Sequence, residues 1–313
     1  MAADLAALQR AIRKQQDWLE LLEDLGKQNV AGVQALLDQY SRAIIRAVGV
    51  GTDRTGIAVT TQLQEITDSL DEQLRVLLGD GARAYEAAFQ SMGEVMSKSM
   101  PRAYVEFGRT TADRVVAAWN SLEFQEQQLP GVFQVGRNHW LNELQETGGS
   151  LRNAMQEELV KAQLDGVGQH ELANRIAANP LFQFENLPNA ENARKLYTAG
   201  GRLGENEALR HRANVIARDS ISNAANRLHE QWTQAAGFEL YINYNPLDDR
   251  TTEGCREASE QEPMTLEDWD NWRAESDGQG GRPPRWFLCR SQLMAVPSQY
   301  RGAKIEELVT LEV

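Results

Sequence analysis

Leu5, Leu8, Ile12, Gln15, Leu19 and Leu22 follow one another at intervals of 3, 4, 3, 4 and 3. That alternation puts all six on one face of a helix, and it has no counterpart on a strand, whose faces repeat every two residues. The pattern resumes in Val33, Leu36, Leu37, Tyr40, Ile44 and Val48, after a break expected near Gly26, and again in Leu63, Ile66, Leu70, Leu74 and Leu77. Between these stripes, VGVGTDRTG reads as an interhelix loop, with Thr52 or Asp53 placed to cap the next helix. No strand precedes its glycines and no Gly-Lys-Ser/Thr follows them, so a phosphate loop is set aside. Tyr85, Phe89, Met92 and Met96 carry a helical face onward, and Pro101 is expected in the first turn of a new helix after a break at Ser99 or Met100. Val115, Val116, Trp119 and Leu122 mark the next face. Met92, Met96 and Met100 read as adaptable core filler. The first 125 residues are therefore expected to be amphipathic helices, packed as a bundle or against other chains. The face of Leu5, Leu8, Ile12, Leu19 and Leu22 is the expected docking seam, for a partner or for an oligomer.

Past Pro130 the texture changes. SLRNAMQEELVKAQLDGVGQHELANRIA reads as helix, a turn at Gly166 to Gly168, then helix, and residues 179–206 are irregular. A long helix is expected from about Glu205 to Ala236, stopped by Gly237. The period then switches to two in FELYINYN, which alternates as a strand ended by Pro246. A polar loop, a short helix around Leu266 to Trp272, a glycine-rich turn and the strand-like CRSQLMAV complete the pattern. The expected fold is mainly α, with a helical N-terminal half, further helices and a small C-terminal α+β module. The expected segments are 1–125 for helical docking, 126–200 for helical connection, 201–297 for the α+β module, and 298–313 for a tail. The tail, KIEELVTLEV, is apolar and acidic by turns, suited either to strand docking on another subunit or to fraying.

Charge narrows the function. The 313-residue chain carries a net charge of −13, which argues against a protein that coats DNA by neutralising phosphates. Residues 239–280 hold 12 acids and 3 bases, and residues 281–304 hold five bases and no acid. The two stretches either fold against each other or offer a polar docking surface. No run of 18 apolar residues occurs, so no membrane contact is expected. MAADLAALQRAIRKQQ lacks the apolar core of a secretory signal. Two cysteines cannot make a disulfide scaffold, which fits synthesis in the cytoplasm.

Three blocks in fixed order carry a resemblance: ANVIARDSISNAANRLHEQWTQAAGFE, NPLDDRTTEGCRE and PPRWFLCRSQL. Together with GVGQHELANRIA upstream, they resemble the Mu F-like family of phage minor head proteins, also called head morphogenesis proteins, over roughly residues 150–297. The first 125 residues carry no family signature. Much of the family has two cysteines in the second block, and a histidine with Cys-Arg-Cys in the third. The matching positions here are Thr252 and Cys255, then Trp286, Cys289 and Ser291, so three of five metal-type ligands are absent. The family's usual Arg-Thr-Glu in the first block is Arg218-Asp219-Ser220 here. A structural zinc wants four nitrogen or sulfur ligands, so neither a metal nor a cofactor is expected. The resemblance implies that Cys255 and Cys289 are neighbours, bonded or simply packed. It implies a part in capsid assembly: few copies, at the portal vertex or inside the head, assembled in the host cytoplasm, assisting DNA packaging or delivery. The implied partners are the portal protein and the major capsid or scaffolding protein, with at most weak DNA contact.

Asp249, Arg250 and Arg290 are expected to serve as turn and pairing residues, and Trp232, Trp269, Trp272 and Trp286 as the module's core. His139 and Glu143 sit four apart, without a second histidine at zinc-protease spacing. Arg210, His211, Arg212 and Arg218 suit a solvated helix face, or a contact to phosphate or an acidic partner. A cysteine nucleophile needs an adjacent base, and the four histidines (His139, His170, His211 and His229) lie outside the module's loops, so catalysis is not expected. Two other readings stay open. One is a coiled-coil scaffold whose first 125 residues oligomerise alone. The other is a phage-encoded enzyme or toxin carrier, for which the 17 residues after Val296 leave no room in the C-terminal part.

Overall fold

The computed structural model describes residues 5–52, 60–167, 169–179, 181, 212–245, 251–276, 278, 280–283 and 291–303. Helices dominate. They are α1 (Leu5–Thr52), α2 (Thr60–Tyr104), α3 (Arg109–Trp119), α4 (Leu129–Leu164), α5 (Gln169–Ala178), α6 (Ser220–Ala235), α7 (Glu253–Ser259) and α8 (Leu266–Asn271). Two strands, β1 (Leu240–Tyr244) and β2 (Gln292–Val296), pair antiparallel with Ile242 opposite Met294. The fold is mainly α with a small C-terminal α+β part, as the change of period implies.

Two expected breaks are absent. α1 runs unbroken through Gly26 and on to Thr52, so Thr52 ends a helix and does not cap one. α2 runs through Pro101. A mid-helix proline forfeits one backbone hydrogen bond, but Met100, Ala103 and Tyr104 around it are all buried, and that burial holds the last turn in place. Pro130 does perturb its helix. The turn just before it, Phe124–Gln128, is a π-helix that continues directly into α4. Such a bulge is one way to route a helix past a residue with no N–H to donate. One helix was missed: Glu253–Ser259 lies where a polar loop was expected, capped by the Thr252 side chain, which accepts from the Cys255 amide.

The chain forms two compact units, and neither is a continuous segment. One comprises Met1–Lys27, Ala87–Arg137 and Arg218–Val313, and the other Gln28–Glu86 and Asn138–Ala217. This grouping cuts across the segments 1–125, 126–200 and 201–297. The cause is visible in the first unit, where the opening turns of α1 are core for the C-terminal sheet. Leu8 and Ala11 are buried with Leu240, Ile242, Met294, Val296 and Tyr300, and Ile12 and Phe107 pack alongside.

Within that first unit α6 is central. Ile221, Ala224, Ala225, Leu228 and Trp232 are buried, and so are Asn226, His229, Glu230 and Thr233, leaving little of its circumference to solvent. Trp232 packs against Trp119 with ring centres 4.4 Å apart and planes tilted by 46°, and it donates Nε1–H to the Val115 carbonyl at 2.6 Å. α6 ends at Gly237, where φ is +81°, a conformation glycine adopts without strain. On the outer side of β1, Tyr241 exchanges both backbone hydrogen bonds with Met264, and its carbonyl also accepts from Trp269 Nε1 at 2.9 Å.

The second unit is a helical bundle in which glycines allow close approach. Gly148 lies against Leu74, Leu77 and Tyr40, and its carbonyl accepts from Tyr40 Oη at 3.1 Å. Gly81 lies against Leu144, and Tyr85 meets Trp140 with ring centres 5.6 Å apart. Between α1 and α2 a groove of about 380 Å³ is lined by Ala43, Arg46, Ala47, Glu65, Ile66, Ser69 and Gln73.

Candidate functional site

The three sequence blocks meet at one buried polar junction. α6 contributes Asn226, the end of β1 contributes Asn245, α7 contributes Cys255, and the residue entering β2 is Ser291. Cys255 Sγ lies 3.0 Å from Ser291 Oγ. Ser291 Oγ donates to Asn245 Oδ1, Asn245 Nδ2 donates to the Cys255 carbonyl, and Asn226 Nδ2 donates to the Ser291 carbonyl at 3.4 Å. Buried polar groups are costly unless paired. Here one amide answers both the hydroxyl of the third block and the backbone of the second, which ties the two together. Amide and hydroxyl groups beside a single thiol are not a structural zinc set. Among the described residues no group of three or more His, Cys, Asp or Glu side chains could hold a metal ion.

A second polar group lies about one turn further along α6. Tyr104 Oη and His229 Nε2 are 3.1 Å apart, and the His229 ring lies 5.9 Å from that of Trp18. Burial pushes the His229 imidazole down to about 4, with the Leu293 backbone working against it. Burial also holds the Tyr104 phenol well above its ordinary range, opposed by the Ala295 backbone. Both rings therefore stay neutral near pH 7. They lie along the edge of β2 away from β1, where an open strand edge would otherwise invite further pairing.

The sequence-derived site residues fare unequally. Trp232 and Trp269 are fully buried and Trp272 is half-buried against Trp269, with ring centres 5.7 Å apart. Cys255 is buried. Asp249, Arg250, Trp286, Cys289 and Arg290 lie outside the described residues, as does the side chain of Leu5. The docking seam is corrected. Leu8 is 0% exposed and Leu22 5%, while Ile12 and Leu19 are partly buried, so this face is spent on the chain's own core. Arg218 is corrected as well. Its guanidinium is part-buried and reaches Glu23 of α1 at 3.3 Å. Gly26 lies beside that side chain, and a Cβ there would sit 3.4 Å from Arg218 Cγ, an ordinary van der Waals contact. Arg212 is exposed, and Arg210 and His211 lie outside the described residues.

The acidic stretch and the basic stretch after it do meet. Arg282 pairs with Asp270 at 2.6 Å and with Glu230 of α6 at 3.0 Å. Sequence reasoning missed Asn226, His229, Glu230 and Asn245. Their one signal is spacing: Asn226, Glu230 and Thr233 recur at 4 and 3 within a helix whose other stripe is apolar. No helix among the described residues is long and apolar enough to cross a membrane. No family model, no curated protein and no solved structure matches the chain.

Proposed function

We propose that the chain is a phage minor head protein that acts by binding at or near the portal vertex during head assembly, inside the virion, and assists DNA packaging or delivery. The observation that carries this reading is the convergence of the three resembling blocks on the Asn226, Asn245, Cys255 and Ser291 junction. Residues scattered over the second half of the chain form one hydrogen-bonded unit, as parts of a single module would. Serine and threonine stand where the family carries metal-type ligands, and hydrogen bonds supply the cross-link in their place. The junction groups are buried and hydrogen-bonded to one another, which suits a rigid binding body better than turnover.

Burial of Leu8 and Leu22 weighs against the coiled-coil scaffold, because those residues are not free to join a second helix. On this reading, the docking surface is one other than the α1 seam. The test is co-purification of the full chain with a phage portal protein from the same genome. Co-elution at a fixed ratio supports the reading, and separate elution from an intact portal ring overturns portal docking.

A further inference from the structure

The groove between α1 and α2 is lined at a regular spacing on both sides. From α1 come Leu36, Gln39, Ala43 and Arg46, at intervals of 3, 4 and 3. From α2 come Ile66, Ser69, Gln73, Val76 and Asp80, at intervals of 3, 4, 3 and 4. These are heptad intervals, by which one helix presents a seam to another. Ile66 forms a buried floor, whereas Val76 is 43% exposed. The seam spans about 15 Å of α1 and about 21 Å of α2, at a rise of about 1.5 Å per residue. It is a different face of α1 from Leu37, Ile44 and Val48, which are buried in the chain's own core.

Two charges in the groove stand apart from their neighbours. Arg42, Arg75 and Arg83 each pair with a carboxylate on their own helix. Arg46 instead donates Nε–H to the Arg42 carbonyl at 3.3 Å. Among the described residues neither Arg46 nor Glu65 forms an ion pair, although both line the same groove. The helices run antiparallel here. Arg46 and Ala47 share one end of the groove with Glu65, and Leu36 shares the other with Asp80. Arg46 and Glu65 therefore stand at the same level, on opposite walls.

We propose that this groove is the interface of a two-fold symmetric dimer of the chain, with the axis running along the groove. That operation lays α1 of one copy over α2 of the other and leaves every level unchanged. Arg46 then meets Glu65 of the second copy, Ala43 meets Ser69, Gln39 meets Gln73, and Leu36 meets Val76. Each contact is made twice, as an isologous interface requires. A purely acidic or purely basic partner would leave Glu65 or Arg46 facing its own sign, and only a surface carrying both charges answers both. The dimer stands independently of the proposed portal docking.

The experiment is sedimentation equilibrium of the full chain alone, through the micromolar range. The expected species has twice the 35.1 kDa of the chain. R46E and E65R each set like charges face to face twice per dimer, and each is expected to weaken association by at least about tenfold. The double variant R46E/E65R restores the pairs with exchanged sign and is expected to associate like the wild type. Because the two residues form no pair within one chain, that rescue reports pairing between copies. Both side chains are exposed, so the variants should melt with the wild type. A wild-type chain that stays monomeric at every concentration overturns the proposal, and that arm needs no variant. So does a dimer that R46E leaves unchanged, or a double variant that associates as weakly as the single ones.

Discussion

His229 and Glu230 are adjacent on α6 and both buried, yet their proton affinities are displaced in opposite directions. The imidazole is pushed down to about 4 and the carboxyl up to about 7, each chiefly by burial. The folded chain therefore keeps both groups neutral where the unfolded chain would carry an imidazolium and a carboxylate. For His229, stability is fully present above its unfolded value near 6.5 and is lost as pH falls through 4. For Glu230, stability is fully present below its unfolded value of 4.5 and is lost as pH rises through 7. Between pH 4.5 and 6.5 the two slopes oppose. H229Q should leave the glutamate slope alone, so stability falls by about 2 kcal/mol across that window, and E230Q should show a rise of similar size. Urea denaturation at pH 4.5, 5.5 and 6.5 measures both. Equal slopes of the same sign in the two variants would refute the pairing.

Gly148 and Gly149 are neighbours on α4 with opposite surroundings. A Cβ on Gly148 would come 2.7 Å from a Leu74 methyl and 2.9 Å from a Leu77 methyl, whereas one on Gly149 would meet nothing within 4 Å. Alanine gains up to about 1 kcal/mol over glycine in a helix interior, largely by restricting the unfolded chain. Gly149→Ala should therefore raise the stability of the chain by about 0.5 to 1 kcal/mol. Gly148→Ala should lower it by about 1 kcal/mol or more, because overpacking a filled core exceeds the propensity gain. Thermal melts of the two variants side by side decide the matter, and stabilisation by both would show that α2 and α4 are not in close contact at Gly148.

Much of the local structure was legible in the residues. Alternation in FELYINYN marked β1, Gly237 marked the end of α6, and Trp232 and Trp269 proved to be core. The breaks at Gly26 and Pro101 were misread for one reason. Each local signal is worth only about 1 to 3 kcal/mol, and burial of Leu22 and Val33, or of Met100 and Tyr104, outweighs it. The polar junction was illegible for a different reason. Asn226 meets Ser291 across 65 residues, and Ser291 meets Asn245 across 46. No periodicity within one element reports a partner that distant. The use of Leu8 is a third case, since an apolar helical stripe shows that it will be buried and not by what.

Leu8 separates the two uses of the α1 face. As core of the C-terminal sheet, beside Met294 and Val296, its truncation leaves a cavity. Leu8→Ala should lower the stability of the full chain by about 2 to 5 kcal/mol. As a docking residue it would leave stability nearly untouched and weaken binding alone. Chemical denaturation of the purified chain, with no partner present, distinguishes the two, and a loss under about 0.5 kcal/mol, the range of ordinary surface changes, would return the seam to solvent.

Asn245 is the residue on which the junction turns, because its amide is the shared partner of the Ser291 hydroxyl and the Cys255 carbonyl. Asn245→Ala should cost about 1 to 3 kcal/mol by leaving two buried polar groups without that partner. Ser291→Ala should cost less than Asn245→Ala, since it removes one polar group and the Asn245 bond to the Cys255 carbonyl survives. If hydrogen bonds are the cross-link, a strong chelator should leave the melting temperature of the wild-type chain unchanged, whereas chelators denature domains whose fold depends on zinc. A fall in melting temperature on adding chelator, restored by zinc, would mean that Cys255 takes a metal with ligands beyond those described, and the hydrogen-bonded reading of the junction would have to be given up.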